Sequence, residues 1–273
     1  MSFLIMRSLI VVAVARCVTS ILSSNTASDT TCDSLTIDAR IASFVTAPYY
    51  ATWNIDSSRD RNFFMLDFAA PELLVAARGL ADRGGTHIRF GGTGNNFLHY
   101  SVGNAPACVP DETTNYQCLN DTQWSGLAEF SVAAKSPIIF GVNFFPFGNE
   151  KTKKFDPTNA IEFFEYSKAR GDIIYGVENG NEINRLVTAE EQAAGLLALD
   201  DALKIVYGTD ARPLLIGPDA LGLHVPSVAS GDASSIILNY MRDFVVAMNG
   251  KLHAVTHHEY SKFACPPDPS PGH

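Results

Sequence analysis

The sequence predicts an α/β fold in which parallel strands are joined by helical crossovers. Short, nearly continuous apolar runs are typical of strands buried on both faces of a sheet, and longer segments with helix start and stop signals lie between them. Each step of strand plus helix takes roughly 35 to 50 residues, which suits a doubly wound open sheet or a (β/α)8 barrel. The 273 residues are 46% hydrophobic and 18% charged. The chain can therefore bury a sizeable core, which excludes a disordered chain, a collagen-like repeat and a disulfide miniprotein.

The individual elements follow from apolar runs and capping signals. The predicted strands are Ser34–Ala42, Thr86–Phe90, Pro137–Phe145, Asp172–Glu178, Pro213–Gly217 and Leu252–His257. The predicted helix starts are Pro71, the pair Asp156-Pro157, Thr188 and Asp232. Thr188 and Glu191 form a capping box, in which two side chains satisfy free backbone donors, while Gly171 and Gly250 mark helix ends. An irregular insert covers Ser101–Asn120.

The first 24 residues have the pattern of a secretory signal peptide. An apolar run over residues 8–15 follows Arg7, and it is too short for a bilayer span, which needs about 20 residues. We therefore expect residues 1–24 to be removed and residues 25–273 to form one domain, outside the cell or in a lysosome-like compartment. Nothing in the pattern supports peripheral membrane association.

The charge balance argues against nucleic acid as a partner. The formal net charge is −9, and no stripe of Lys and Arg interrupts the sequence. Binding to phosphates needs a basic face.

The cysteines and a sequon agree with a secreted glycoprotein. Once Cys17 leaves with the leader, four cysteines remain, and an even number in a secreted chain permits disulfides. Cys108 and Cys118 close a short polar loop and are the preferred pair. Asn120-Asp121-Thr122 is a glycosylation sequon beside that loop.

The most informative motif ends the predicted strand Asp172–Glu178. The segment Glu178-Asn179-Gly180-Asn181-Glu182 places Asn and Glu side by side where a buried strand runs into a turn. The carboxyl ends of parallel strands carry the active sites of α/β folds, and a desolvated Glu there can act as a general acid. Two structural alternatives remain: Glu182 caps the next helix, or it pairs with Arg185.

Two further motifs end strands in the same way. In His87–Asn96 a strand leads into Gly91-Gly92-Thr93-Gly94, where the third glycine of a dinucleotide fingerprint is missing. A tight loop lining a pocket, with Arg89 ion-paired inside the barrel, is the favoured interpretation. In His253–Tyr260 the neighbours His257 and His258 point to opposite sides of a strand, so a cleft is favoured over a zinc site. No metal or other cofactor is expected, and the absence of a Gly-x-Ser-x-Gly elbow argues against a serine hydrolase.

Taken together, five stretches in order resemble the heparanase and β-glucuronidase group, glycoside hydrolase family 79. They are Ser34–Ala39, Ala77–Leu80 followed by Ile88–Thr93, Glu178–Glu182, Gly217–Asp219 and Val255–Tyr260. The resemblance implies a (β/α)8 glycosidase barrel and a glycan or glucuronide substrate. It also implies a retaining reaction with two carboxylates about 5–5.5 Å apart.

The resemblance assigns roles residue by residue. Glu182 matches the family's proton donor, and Asn181 matches the residue that binds the sugar beside the cleavage point. The remaining matches, which line the substrate cleft, are Asp38, Thr93, His258 and Tyr260. Tyr260 in particular resembles the tyrosine that orients the nucleophile.

The chain also departs from the family pattern. The family's nucleophile follows strand seven, whereas this sequence stops soon after the sixth strand, with about six β/α units and no C-terminal β-sandwich. We therefore expect an incomplete barrel that is inactive as given, because a lone acid cannot form the glycosyl-enzyme. The basic stretches of heparanase have no counterpart, which favours a plain β-glucuronidase type. The alternatives are a non-catalytic carbohydrate-binding relic and a truncated gene product.

Overall fold

The computed structural model describes residues 52–57, 66–82, 85–105, 107–109, 117–145, 154–221 and 233–258. The strands are β1 (Thr52–Asp56), β2 (His87–Gly91), β3 (Leu98–Ser101), β4 (Gln117–Asn120), β5 (Ile138–Val142), β6 (Ile174–Asn179), β7 (Leu214–Leu221) and β8 (Ala254–His258). The helices are α1 (Pro71–Ala81), α2 (Asp121–Ala133), α3 (Thr158–Arg170), α4 (Ala189–Tyr207) and α5 (Ala233–Met248). Within these ranges, none of the helices is long and apolar enough to span a bilayer.

The main sheet is parallel, and its strand order decides between the two predicted architectures. In the described residues it has six strands in the order β1-β2-β5-β6-β7-β8, with every neighbouring pair parallel. One helix separates each pair of neighbours along the chain. A doubly wound sheet reverses its strand order at a switch point, whereas this order runs in one direction. The fold is therefore an incomplete (β/α)8 barrel of successive β/α units, as predicted.

Most predicted strands are present, with shifted ends. Five of them correspond to β2, β5, β6, β7 and β8. The predicted strand Ser34–Ala42 lies outside the described residues. The strand beside β2 is β1, which the sequence analysis did not predict, and its residues pair in parallel register from Thr52↔His87 to Asp56↔Gly91.

The predicted capping signals shape the helix ends. Thr188 Oγ1 accepts a hydrogen bond from the Glu191 backbone N–H at 3.2 Å, and Glu191 Oε2 accepts one from the Thr188 N–H at 2.7 Å. Helix α3 ends at Gly171, which takes the left-handed conformation with φ 79°. Its start lies one residue later than predicted, because Pro157 occupies the N-cap position while the Asp156 carboxylate still accepts from Thr158 N–H at 3.0 Å.

Aromatic packing joins β3 and α2 to the barrel core. The ring of Phe163 on α3 lies 4.6 Å from that of Phe140, 4.7 Å from that of Trp124 and 4.8 Å from that of Tyr100, measured between centroids. Tyr100 lies on β3, which pairs with β4 in a separate two-stranded sheet within the described residues. Its hydroxyl accepts a hydrogen bond from the backbone N–H of Asn143 at 2.9 Å. Val102 and Leu119, which belong to the insert, are buried in the same core.

The predicted disulfide is confirmed. Cys108 and Cys118 are bonded, with their Cα atoms 5.8 Å apart. Cys118 belongs to β4, so the disulfide ties the loop of the insert to this strand. Cys32 and Cys265 lie outside the described residues.

A buried glutamine bridges β6 and β7 beyond their backbone pairing. Gln192 of α4 donates hydrogen bonds from Nε2 to the backbone oxygens of Asn179, at 3.0 Å, and Pro218, at 2.7 Å. The hydroxyl of Tyr240 on α5 donates to Gln192 Oε1 at 2.6 Å. Two outer helices therefore hold the ends of two neighbouring strands together.

Candidate active site

Charged side chains from four strands of the main sheet meet toward its carboxyl edge. They are Arg89 from β2, Glu178 from β6, Asp219 from β7 and His258 from β8. This is the edge at which (β/α)8 enzymes carry their catalytic groups. The cluster is therefore the candidate active site.

The guanidinium of Arg89 is the centre of the cluster. Nε donates to Glu178 Oε2 at 2.7 Å, and Nη1 donates to Asn54 Oδ1 of β1 at 2.7 Å. Nη2 donates to Asn181 Oδ1 at 3.1 Å and to Asp219 Oδ2. Burial lowers the pKa of Arg89, but the attraction of the two carboxylates outweighs it and raises the pKa above its usual value. The predicted ion pairing of Arg89 inside the barrel is confirmed.

Two glycines after β2 make room for these side chains. A Cβ on Gly91 would collide with the guanidinium of Arg89, and a Cβ on Gly92 would collide with the carboxylate of Asp56. Gly92 also has φ +107°, a conformation that side chains disfavour. The glycine run that suggested a phosphate loop thus serves the packing of an arginine and an aspartate.

Glu182 follows β6 in an unusual backbone conformation. Its φ is 54°, and a non-glycine residue in the left-handed region is uncommon and concentrates at functional sites. The turn is held by Asn96, whose Oδ1 accepts from Asn181 N–H at 2.7 Å and whose Nδ2 donates to Asn181 O at 2.8 Å. The N–H of Glu182 itself donates to Asp219 O at 2.9 Å.

His258 connects Glu182 to the buried cluster. Its Nδ1 lies 2.5 Å from Glu182 Oε1, and its Nε2 lies 2.7 Å from Asp219 Oδ1. Burial lowers the pKa of His258, but hydrogen bonds to both carboxylates raise it to about 9. The two alternative roles for Glu182 do not hold among the described residues. Its side chain makes no capping hydrogen bond to the following turn, and Oε1 is bound to His258 rather than to Arg185.

Glu178 is a buried carboxyl that the sequence analysis did not single out. Burial and the neighbouring charge of Asp219 raise its pKa to about 7, against the attraction of Arg89. A sequence signal exists, since Glu178 is an acid in an otherwise apolar strand and Arg89 is a base in another predicted strand. The pairing itself depends on the order of the strands in the sheet.

The other predicted site residues differ in position. Asn181 is buried against Arg89, so the structure brings it together with Glu182 and His258. Thr93 begins a short 3₁₀ helix after β2, Thr93–Phe97, and its side chain is exposed. Asp38 and Tyr260 lie outside the described residues. In the part of the chain that is described, no group of three His, Cys, Asp or Glu side chains is arranged to hold a metal ion.

The family is shown by a match of the sequence to the family model described as "Glycosyl hydrolase family 79, N-terminal domain". It covers residues 51–261, more than half of the chain. The chain belongs to glycoside hydrolase family 79. The match begins just before β1, so the stretch Ser34–Ala39 lies outside it. No curated protein sequence matches the chain.

Solved structures of glycosidases resemble parts of this family 79 chain. A 4-O-α-L-rhamnosyl-β-D-glucuronidase from Fusarium oxysporum 12S has 16% identity and a TM-score of 0.49, over 78% of this chain and 44% of that one. The catalytic domain of a GH30 xylanase C from Talaromyces cellulolyticus has 12% identity and a TM-score of 0.48, over 77% of this chain and 52% of that one. An endo-β-1,6-glucanase has 16% identity and a TM-score of 0.47, over 77% of this chain and 52% of that one. The chain spans about half the length of these structures.

Proposed function

We propose that the chain is the acid-bearing part of a retaining glycoside hydrolase of the β-glucuronidase type. The observation that carries the proposal is the placement of Glu182, on a left-handed turn after β6, with its side chain 19% exposed. A proton donor must reach the oxygen of a bound glycoside, and the buried carboxyls Glu178 and Asp219 are 2% exposed. Membership of family 79 supports a glycan as the substrate.

The residues around Glu182 supply the rest of a sugar site in this proposal. Asn181 lies next to the acid and is proposed to bind the sugar at the cleavage point. Thr93, exposed after β2, is proposed to line the cleft. His258 faces Glu182 directly. Asp38 and Tyr260 remain predictions from the family resemblance.

In this proposal, the 273-residue polypeptide does not turn over substrate. Retaining hydrolysis needs a second carboxylate about 5–5.5 Å from the acid, which forms the glycosyl-enzyme. Glu178 and Asp219 are both bound to Arg89, so their lone pairs are engaged and they are poor nucleophiles. We assign the nucleophile to neither of them.

The experiment uses an aryl β-glucuronide for hydrolysis and a non-hydrolysable thio-β-glucuronide for binding. The chain should bind the thioglycoside saturably and release no phenol, and Glu182→Gln should leave binding within a fewfold. Hydrolysis that disappears in Glu182→Gln would contradict the inactivity but support the role of Glu182. The absence of both binding and hydrolysis would contradict the glucuronidase-type site.

Secretion and glycosylation are part of the proposal. The disulfide Cys108–Cys118 supports an oxidising compartment. Asn120 is exposed, and its Oδ1 caps α2 by accepting from Gln123 N–H at 3.0 Å, which leaves the amide nitrogen as the attachment atom of a glycan. In a secretory host, mass spectrometry of the mature chain should show that residues 1–24 are absent. Deglycosylation should lower the mass of the wild-type chain but leave the mass of the Thr122→Ala variant unchanged.

A further inference from the structure

The imidazole of His258 lies between two carboxylates, and this placement fixes how many protons the site holds. Nδ1 is 2.5 Å from Glu182 Oε1 and Nε2 is 2.7 Å from Asp219 Oδ1. Contacts of this length between a nitrogen and an oxygen each contain a proton, because two lone pairs would otherwise face each other. A neutral imidazole supplies one N–H. The two contacts therefore hold two protons, one of which is additional to the neutral ring.

The proton on Nε2 stays on the ring because Asp219 is fixed as its acceptor. The other carboxylate oxygen of Asp219 accepts from Arg89, and its backbone N–H donates to Thr256 Oγ1 at 3.1 Å. Asp219 is 1% exposed, so water does not compete for these bonds. The proton that can move is the one between His258 Nδ1 and Glu182, because the Glu182 carboxylate also faces outward.

We propose that His258, oriented by Asp219, is a positioning residue that stores the proton which Glu182 delivers as the general acid. The inference rests on the proposed role of Glu182. The Nδ1–H bond breaks as the Oε1–H bond forms, which leaves a neutral imidazole that keeps Nε2–H on Asp219 and a neutral carboxylic acid at Glu182. The acid then passes this proton to the leaving glycosidic oxygen. In the second half-reaction the attacking water returns one proton to Glu182, so the pair is restored.

Sugar binding favours this transfer. Exclusion of water from the cleft penalises an ion pair more than a neutral pair, and the imidazolium with the Glu182 carboxylate is the ion pair. Among the described residues, the charged groups that face His258 are Glu182 from the turn after β6, Asp219 from β7 and, beyond Asp219, Arg89 from β2 and Glu178 from β6. On its own strand, the neighbouring His257 is exposed. Carboxylates outnumber cations here, which keeps the stored proton on the ring, in agreement with a His258 pKa of about 9.

The test is nitrogen-15 NMR of histidine-labelled full chain over a pH titration, with the His258 signals assigned from their loss in His258→Gln. At pH 7.5 both ring nitrogens of His258 should carry a proton. Asp219→Asn and Glu182→Gln should each lower the midpoint of His258 by about 1 pH unit or more, a tenfold loss of proton affinity. The matched control is His257→Gln, which should leave the His258 midpoint unchanged.

A His258 ring with one proton at pH 7.5 would overturn the proposal, as would a midpoint that moves in neither variant. Circular dichroism shows whether Asp219→Asn folds. If it does not, Glu182→Gln still tests the proposal, because it keeps the shape of a partly exposed side chain. The titration needs no turnover. Failure of the proton store therefore appears in the NMR, whereas failure of the proposed function appears in the glucuronide binding and hydrolysis measurements.

Discussion

At the residue scale, two acidic residues of the site share a conformation that side chains rarely adopt. Glu182 has φ 54° and Asp219 has φ 57°, and each such residue costs on the order of 1–3 kcal/mol. The bonds around them keep them in place, since Glu182 N–H donates to Asp219 O and Asn96 binds both backbone groups of Asn181. The direction of the proposed acid thus depends on the buried residues Asn96 and Asp219.

Asn96→Ala tests this dependence. The variant leaves the buried N–H and C=O of Asn181 without the partners seen here, and each loss costs about 1–3 kcal/mol of unfolding free energy. Urea denaturation should show this loss. Thr93→Ala, on the same 3₁₀ helix but exposed, should change the unfolding free energy by about 0.5 kcal/mol or less. Equal effects of the two substitutions would contradict the role of Asn96.

At the element scale, apolar runs and caps predict five strands and the starts of α1, α3, α4 and α5, because these signals are local. Helix α2 and the strands β3 and β4 are not predicted, and β4 lies in the segment expected to be irregular. β1 is also missed, although Thr52–Asp56 ends in Ile-Asp and the predicted strand Ser34–Ala42 contains the same pair, Ile37-Asp38. Because the two segments have a similar local pattern, the sequence does not show which of them pairs with β2. The pairing of Thr52–Asp56 with β2 is seen only in the structure.

The same limit applies to the site. Glu182, Asn181 and His258 follow from motifs at strand ends. Glu178 and Asp219 acquire their roles from Arg89, which is 89 and 130 residues away in the sequence. A single sequence does not display such a contact, because it arises from the order of the strands.

The loop after β2 offers a prediction with an internal control. Gly91→Ala would place a methyl group against the Arg89 guanidinium, so the arginine must move away from its acceptors, and the midpoint of thermal unfolding should fall by several degrees. Gly79→Ala, inside α1, meets nothing within 4 Å and should stabilise by about 0.5–1 kcal/mol through helix propensity. A neutral or stabilising Gly91→Ala would show that the guanidinium has space that the structure does not show.

At the scale of the whole molecule, the site makes folding sensitive to pH. The pKa of His258 is raised from 6.5 to about 9, so the folded chain holds a proton that the unfolded chain releases in this range. Its stabilising contribution is fully present below pH 6.5 and is lost as the pH rises through 9. Glu178, with a pKa raised from 4.5 to about 7, likewise makes stability fall as the pH rises, but in the range between these two values.

The midpoint of thermal unfolding should therefore be lower at pH 9 than at pH 7. Differential scanning calorimetry at the two pH values measures this change. In His258→Gln the difference between the two pH values should shrink, because the raised pKa is removed. A midpoint of thermal unfolding that rises from pH 7 to pH 9 would contradict the link between stability and the protonation of His258. So would a fall in His258→Gln equal to that of the wild-type chain.

The bridge made by Gln192 has a consequence for how specificity in such a barrel can change. Its amide fixes the spacing between the ends of β6 and β7, which carry the proposed acid and its aspartate, and Tyr240 on an outer helix sets the orientation of that amide. The spacing of these two strands is thus set partly from the periphery of the barrel. In the proposed sugar site, substitutions in α4 and α5 can therefore change the fit of the ligand without a change at Glu182 or Asp219.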